Sequence, residues 1–412
     1  MTAMIALTDT MPPVPTTGSE IAMFAVPAAL RKPFSRLAAL VALLAAAACQ
    51  PVPLANPGGG GVSRGGAVPV ALLVPHGTPD EQEARLARDL EAAARLAAND
   101  LGGVRIDLRV YGTAGQPAQA RQAALNAVDD GARIIIGPLH AASANAVAVA
   151  TANRNINVLA FSNNPTIAGG NLFVLGQTFR TTANRLARYA TRQGKTRIMT
   201  VHSDNVAGRL GRDAIANAVR SEGAMLAGSV SYEFSQDGVV EAVPEIRTLA
   251  ETSAADTIFL TANTAGALPL FSQMLPEAGL GPDRVQYVGL TRWDTPPQTL
   301  DLPGVQGGWF ALPDPGRSAQ FASRFEAAQG APPHPIAGLA YDGIAAVGAL
   351  AKGGRGLTRS DLTQPAGFQG VGGVFRLLPD GSNERSLAVA TITDGEVQIL
   401  SPAPQSFGGA GF

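Results

Sequence analysis

From Val68 onward, short continuous apolar runs alternate with stretches whose apolar side chains recur at spacings of three and four. The first unit sets the pattern. Residues 68–74 (VPVALLV) have the length of a buried strand, and Leu86, Leu90, Ala93, Ala97 and Leu101 then mark one helix face. Thr78 is placed as the N-cap of that helix, with Pro79 at its first position and Glu81 three residues after the cap; Gly102 and Gly103 end it. Further strands are expected at 105–111, 133–136, 158–161, 197–202, 225–232, 257–260, 286–289 and 305–310. Helices are expected at 117–130, 144–154, 181–193, 209–222, 240–253, 265–277, 318–329 and 336–352. Strict alternation of this kind demands crossover helices, and so predicts an α/β fold of doubly wound parallel sheets covered on both faces. The pattern restarts after Phe179, which predicts two similar lobes. Ligands of open parallel sheets sit beyond the carboxyl ends of the strands, so the loops beginning at Pro75, Gly137, Ser162, Ser203 and Thr261 are the ones to inspect.

Ahead of this body lies a different kind of sequence. Residues 37–48 are apolar but too few to span a bilayer, which takes about 20 residues. Arg31, Lys32 and Arg36 precede them, as in the charged start of an export signal. Asp9 and Glu20 are out of place in such a signal, so initiation at Met23 is expected. The run ends on Ala46-Ala47-Ala48-Cys49, and Cys49 is the only cysteine among the 412 residues. Small residues before a cysteine resemble the lipobox of bacterial lipoproteins, with Ala46 where that pattern usually has leucine. The resemblance implies removal of residues 1–48 and acylation of Cys49; ordinary cleavage after Ala48, with the cysteine incidental, is the plainer alternative. Residues 49–66 are rich in glycine and proline and read as a flexible tether. Taking away three basic and two acidic residues with the leader leaves 28 basic against 30 acidic side chains, so no basic field favours nucleic acid.

Several stretches together resemble the type I periplasmic-binding-protein superfamily, in its leucine-binding-protein-like branch. They are ARLAAND before a glycine pair, RIIIGPLHAASANAVA, VLAFSNNP, LFVLGQTFR, IMTVHSDNVAGRLG, AYDGIAAVGALAK and, near the end, GFQGVGGVFRLLPDG. The resemblance covers most of residues 68–400 and implies two lobes joined by a three-segment hinge around a cleft. The crossings are expected near Phe179, Leu312 and Gly370. Residues 67–179 and 313–369 then form lobe 1, residues 180–312 and 370–400 lobe 2, and residues 401–412 a flexible tail.

The resemblance also implies site residues. Ser143, near a helix N-terminus, and Ser162, Asn163 and Asn164, in a shortened turn, occupy the positions that hold an amino-acid ligand in relatives. In lobe 2 the corresponding loops carry Asp204, Asn205 and Asn263. Val206 stands where relatives place an aromatic residue over the ligand, and no acidic partner for an ammonium group is evident near Asn263. Each of these residues has an alternative reading as a helix cap or turn former. His76, His140 and His202 each follow an expected strand at the cleft edge. A converging pair suggests a metal or proton acceptor, but no carboxylate or cysteine stands at ligand spacing, so neither a metal nor another cofactor is expected. Gly61-Val62-Ser63-Arg64-Gly65 matches a hydrolase nucleophile string, but it lies in the tether instead of on a strand-to-helix turn. Trp293 and Trp309 read as core or cleft-wall residues. The expectation is a non-catalytic protein.

Two functional readings follow. In the first, the chain resembles the penicillin-binding-protein activators, outer-membrane lipoproteins whose binding-protein-like domain contacts a peptidoglycan synthase. The lipidated start, the tether and the altered amino-acid site favour it, and Gln50 after Cys49 lacks an inner-membrane retention aspartate. In the second, the chain is a lipid-anchored solute receptor of an ABC importer, delivering a branched-chain amino acid, an amide or a similar small solute to an ABC permease. A sensory lobe pair is a third reading and would need a partner to relay its signal.

Overall fold

The computed structural model describes residues 66–408, all within one compact unit that runs over Asn56–Phe412. Cys49, the leader, most of the tether and residues 409–412 lie outside the described residues.

The first lobe opens with β1 (Val68–Val74), α1 (Glu81–Asp100), β2 (Ile106–Gly112), α2 (Pro117–Asp129), β3 (Ile134–Ile136), α3 (Ala141–Thr151), β4 (Asn157–Ala160) and β5 (Leu172–Val174). Its strands form a five-stranded parallel sheet in the order β2-β1-β3-β4-β5. Alternate side chains of β1 enter opposite cores, as the pleat requires. Val70, Leu72 and Val74 pack with Leu86 and Leu90 of α1, whereas Ala71 and Leu73 pack with Ala124 of α2 and Val147 of α3. Helix α1 begins two residues later than expected. Asp80 is its cap, with Oδ1 accepting the Glu83 N–H at 2.9 Å, while Thr78 is held in a turn by Pro75 and donates its hydroxyl to Glu83.

The second lobe follows as α4 (Phe179–Arg192), β6 (Arg197–Ser203), α5 (Val206–Ser221), β7 (Met225–Tyr232), α6 (Gln236–Thr252), β8 (Thr257–Leu260), α7 (Leu268–Glu277), β9 (Gln286–Gly289) and β10 (Trp309–Leu312). The strand expected at 305–310 thus starts later, because residues 303–305 form a single 3₁₀ turn. The chain then returns to lobe 1 with α8 (Pro315–Gln329), α9 (Gly338–Lys352) and α10 (Arg359–Leu362). Asp314 caps α8 and Gly330 closes it in the left-handed region at φ +76°. A three-stranded antiparallel sheet comes next, β11 (Phe368–Gly370), β12 (Gly373–Leu377) and β13 (Asn383–Arg385). Last comes the hairpin β14 (Ala388–Thr393) and β15 (Glu396–Ser401), which completes the seven-stranded sheet β15-β14-β10-β9-β8-β6-β7 of lobe 2.

The third crossing falls later than Gly370. Phe368, Phe375 and Leu377 are buried in the core of lobe 1, and Asn383 Nδ2 donates to the carbonyls of Val174 and Gly176 at 2.8 Å each. Leu387 and Ala388 are the first residues buried in lobe 2, so the chain crosses at Ser386. The tail is also docked as far as Phe407. Arg185 Nε donates to Leu387 O and Nη2 to Ser401 Oγ, both at 2.7 Å, Gln405 donates to Asp314, and Arg376 lies over the Phe407 ring. Among the described residues no helix is long and apolar enough to cross a membrane.

Candidate functional site

A cavity of about 900 Å³ lies between the lobes. Lobe 1 supplies most of its wall: the loop after β3, the loop after β4 from Phe161 to Asn164, the β5–α4 crossing and residues 332–339. Lobe 2 supplies Leu290, Thr291 and Arg292 after β9, and the hinge supplies Pro313, residues 371–374 and residues 385–387. Phe161, Phe179, Leu290, Phe321, Ile336 and Leu339 make the wall chiefly apolar, with a few convergent polar groups, as small-molecule sites usually are.

Four of the expected residues line this cavity. Ser162 is buried and its hydroxyl accepts the Asn164 N–H at 3.1 Å. Asn164 is spent on a turn, its Oδ1 accepting from the Thr166 N–H and hydroxyl. The Asn163 amide is exposed and makes no side-chain hydrogen bond among the described residues. His140 caps α3 by position and bonds Glu83 of α1 through Nε2. Gly176 lets β5 approach this loop, since a Cβ there would sit 2.8 Å from both the Asn163 nitrogen and the Ser162 oxygen.

The remaining expected residues do not line it. Ser143 is buried and its hydroxyl donates to Gly115 O at 3.3 Å. Asn205 caps α5, its Oδ1 accepting the Gly208 N–H, and Asn263 uses its backbone oxygen to close a turn. Asp204 and His202 border a smaller cavity of about 310 Å³ beside Arg209 and Arg212. His202 is buried with Nδ1 on Ser203 O, so it is a packed histidine of the sheet. His76 bonds Glu91 at 2.8 Å. Burial opposes ionisation of that carboxyl, but the bonds from His76 and Arg95 outweigh it and its pKa is lowered. His76 and His140 therefore each meet a separate glutamate of α1, partners that spacing in the sequence had hidden. Among the described residues no group of three metal-ligating side chains converges.

The hinge end of the cavity holds residues that sequence reasoning passed over. Asp342 on α9 is 1% exposed; Oδ1 accepts the Val371 N–H at 2.8 Å and Oδ2 accepts Arg385 Nη1 at 2.7 Å. Arg385 also donates from Nε to Leu175 O and lies over the Phe375 ring. Gly370 must lack a side chain, because a Cβ would fall 2.6 Å from Asp342 Oδ1. The available signal was Asp342 itself, an acid on the apolar face of GLAYDGIAAVGALAK. Across the cavity, Arg292 forks onto Asp294, with Nε 2.8 Å from Oδ1.

A family model described as periplasmic binding protein matches residues 67–396. The chain belongs to the periplasmic binding protein family. As a periplasmic binding protein it has the type I fold of the leucine-binding-like structures, and proteins of this family bind and do not catalyse. The solved structures it resembles include a putative branched-chain amino acid ABC transporter protein from Rhodospirillum rubrum, at 19% identity over 81% of this chain and 100% of that one, TM-score 0.69. A branched-chain amino acid ABC transporter ligand-binding protein from Burkholderia xenovorans matches at 18% identity over 82% and 96%, TM-score 0.65. An ABC-transporter solute-binding protein from R. palustris, solved with benzoate, matches at 18% identity over 84% and 99%, TM-score 0.54. At these identities the likeness is one of fold. No functionally curated protein matches the chain.

Proposed function

We propose that this periplasmic binding protein is the solute receptor of an ABC importer, tethered to the membrane through a lipid on Cys49. The observation that carries the reading is the cavity itself. It has the size for a small solute, it lies between two lobes able to close on it, and apolar walls surround a few unspent polar groups. The solved relatives, described as ABC-transporter binding proteins, support the same reading.

The test is a thermal-shift screen of the full chain with leucine, benzoate and their amides. A solute that binds only the native state must raise the midpoint, by about 2.7 kcal/mol of added stability at one hundred times its Kd. The rival reading, a penicillin-binding-protein activator, draws on Val206, which is 65% exposed where an aromatic would cover an amino acid. A flat screen together with capture of a bifunctional peptidoglycan synthase would replace the receptor reading with the activator one. For the anchor, Cys49→Ala is expected to move the protein from the membrane to the soluble fraction.

A further inference from the structure

We infer that residues 402–407 form a fourth connection across the hinge, a strap that narrows the range of angles the two lobes can take. The inference concerns the motion of the fold itself and holds whichever solute or partner the cleft receives.

The chain passes between the lobes three times: between Leu175 and Ala183, between Leu312 and Phe321, and at Ser386. After β15 it passes once more. Ala403 is 4% exposed in the core of lobe 2, and Arg185 of α4 donates from Nη2 to Ser401 Oγ at 2.7 Å. Gln405 already touches lobe 1. Its Nε2 donates to Ala403 O at 3.0 Å and to Asp314 Oδ2 at 3.1 Å, while its Oε1 accepts from Arg317 Nη2 at 3.2 Å. One amide thus joins the backbone of a residue buried in lobe 2 to the cap and first turn of α8. Phe407 completes the strap. Its ring lies 4.5 Å from the Arg376 guanidinium and against Gly367, where a Cβ would fall 2.8 Å from Phe407 Cε2. Gly367 and Arg376 stand beside Phe368 and Phe375, which are buried in the core of lobe 1.

The place of that last anchor gives the strap leverage. Strands β11 and β12 meet the hinge at the Gly370–Gly373 pair, where the Asp314 N–H donates to Gly372 O and the Ser386 N–H to Val374 O. Gly367 and Arg376 lie farther along these strands, roughly 10 Å from the hinge by strand rise. A link fixed away from the axis must stretch or slacken when one lobe rotates as a body. From Ala403 to Phe407 the chain can span no more than about 14 Å, so it follows only a limited rotation. Pro402 and Pro404 stiffen the segment and reduce the entropy lost when it docks. A cation–π contact at a partly exposed site shifts an equilibrium by about two- to fivefold, so the strap restrains the lobes without locking them.

Spin-label distances between the lobes test this. Cys49→Ala removes the only cysteine, and Gln119→Cys and Glu241→Cys put exposed labels on α2 and α6, which follow the edge strands β2 and β7 and stand outside the interlobe cavity. Pulsed electron–electron resonance on the ligand-free protein should give a distance distribution that is broader at half height for a chain ending at Ala403 than for the full chain. Ending at Ala403 keeps the lobe 2 core intact. Phe407→Ala should broaden the distribution in the same sense, whereas Phe407→Tyr, which keeps a ring beside Arg376, should retain the full-chain width. If the shortened chain fails to fold by circular dichroism, the two Phe407 variants decide the matter alone. A width unchanged by loss of the strap, or widened as much by tyrosine as by alanine, would overturn the inference.

Discussion

Lobe 1 and lobe 2 share one construction and use it unequally. Each buries a parallel sheet between helices, but lobe 2 extends its sheet with the antiparallel pair β14 and β15. At the cleft the imbalance reverses. Lobe 1 presents the loops after three strands, whereas lobe 2 presents the loop after β9 and the first turn of α4. The loops after β6 and β8 in lobe 2, which hold Asp204, Asn205 and Asn263, stand clear of the cavity. On the solute-receptor reading, the difference makes lobe 1 with the hinge the platform for a solute and lobe 2 the cover. It also explains why lobe 1 carries the buried ionic connection to the hinge while the charged pair of lobe 2 stays partly solvated.

The sharpest test of that contrast is Asp342→Ala. The Asp342–Arg385 pair is 1% and 11% exposed, so removing the acid leaves a buried guanidinium and the Val371 N–H uncompensated. A loss of about 3–5 kcal/mol is expected from urea unfolding. A loss below about 1 kcal/mol would mean that the hinge is as solvated as the lobe 2 wall, and the platform argument would fall.

Packing gives the next largest effect, with the lobes reversed. A Cβ at Gly289, at the end of β9, would fall 2.3 Å from the ring of Trp293, which is fully buried. Gly289→Ala is expected to cost about 1–3 kcal/mol through overpacking. In lobe 1, a Cβ at Gly343 would meet Ile136 Cγ2 at 3.0 Å, a methyl that can yield, and alanine gains about 1 kcal/mol of helix propensity there. Gly343→Ala should therefore be close to neutral by the same measurement.

How much of this was legible before the structure follows from what each feature depends on. The strands Met225–Tyr232, Thr257–Leu260 and Gln286–Gly289 fall at their expected bounds, because a short strand-forming run between helical stripes is a local signal. The hairpin of β14 and β15 escaped notice although Asp394-Gly395 is a turn signal between two strand-like runs. Its partner β10 lies far away in the chain, and nothing local ties them. Ser162 and Asn163 were reachable because strand ends are identifiable. The pairing of Asp342 with Arg385, or of His140 with Glu83, was not, since each joins residues from separate elements and depends on how those elements pack.

Acid stability offers a smaller but signed contrast. Asp100, at the end of α1, is partly buried, which raises its pKa, but hydrogen bonds from Arg324 and Tyr341 outweigh that and the net shift is downward. Below the ordinary aspartate value of about 4, the unfolded chain then binds more protons at this group than the native one. The stability it contributes is present above that value and is lost as pH falls through the lowered one. Urea midpoints measured from pH 5 downward (about the upper edge of that window) should fall less steeply for Asp100→Asn than for the parent chain. An equally steep fall would remove Asp100 from the acid limb of lobe 1.

The smallest effect on stability should come from Arg292→Ala, and there the two lobes are separated by kinetics. Arg292 is 38% exposed and its partner Asp294 14%, so solvent screens the pair and its loss should change stability by less than about 1 kcal/mol. Its consequence lies in binding, because Arg292 is the charged residue that lobe 2 brings to the cavity. If the solute docks on lobe 1 and the hinge before lobe 2 covers it, Arg292 acts only after the encounter. Stopped-flow binding of the tightest solute from the thermal-shift screen should then show an unchanged association rate and a dissociation rate raised by a few-fold, of the order seen for contacts that act after encounter. A slower association with unchanged dissociation would make Arg292 part of first contact, and the cover would have to be counted as half of the platform.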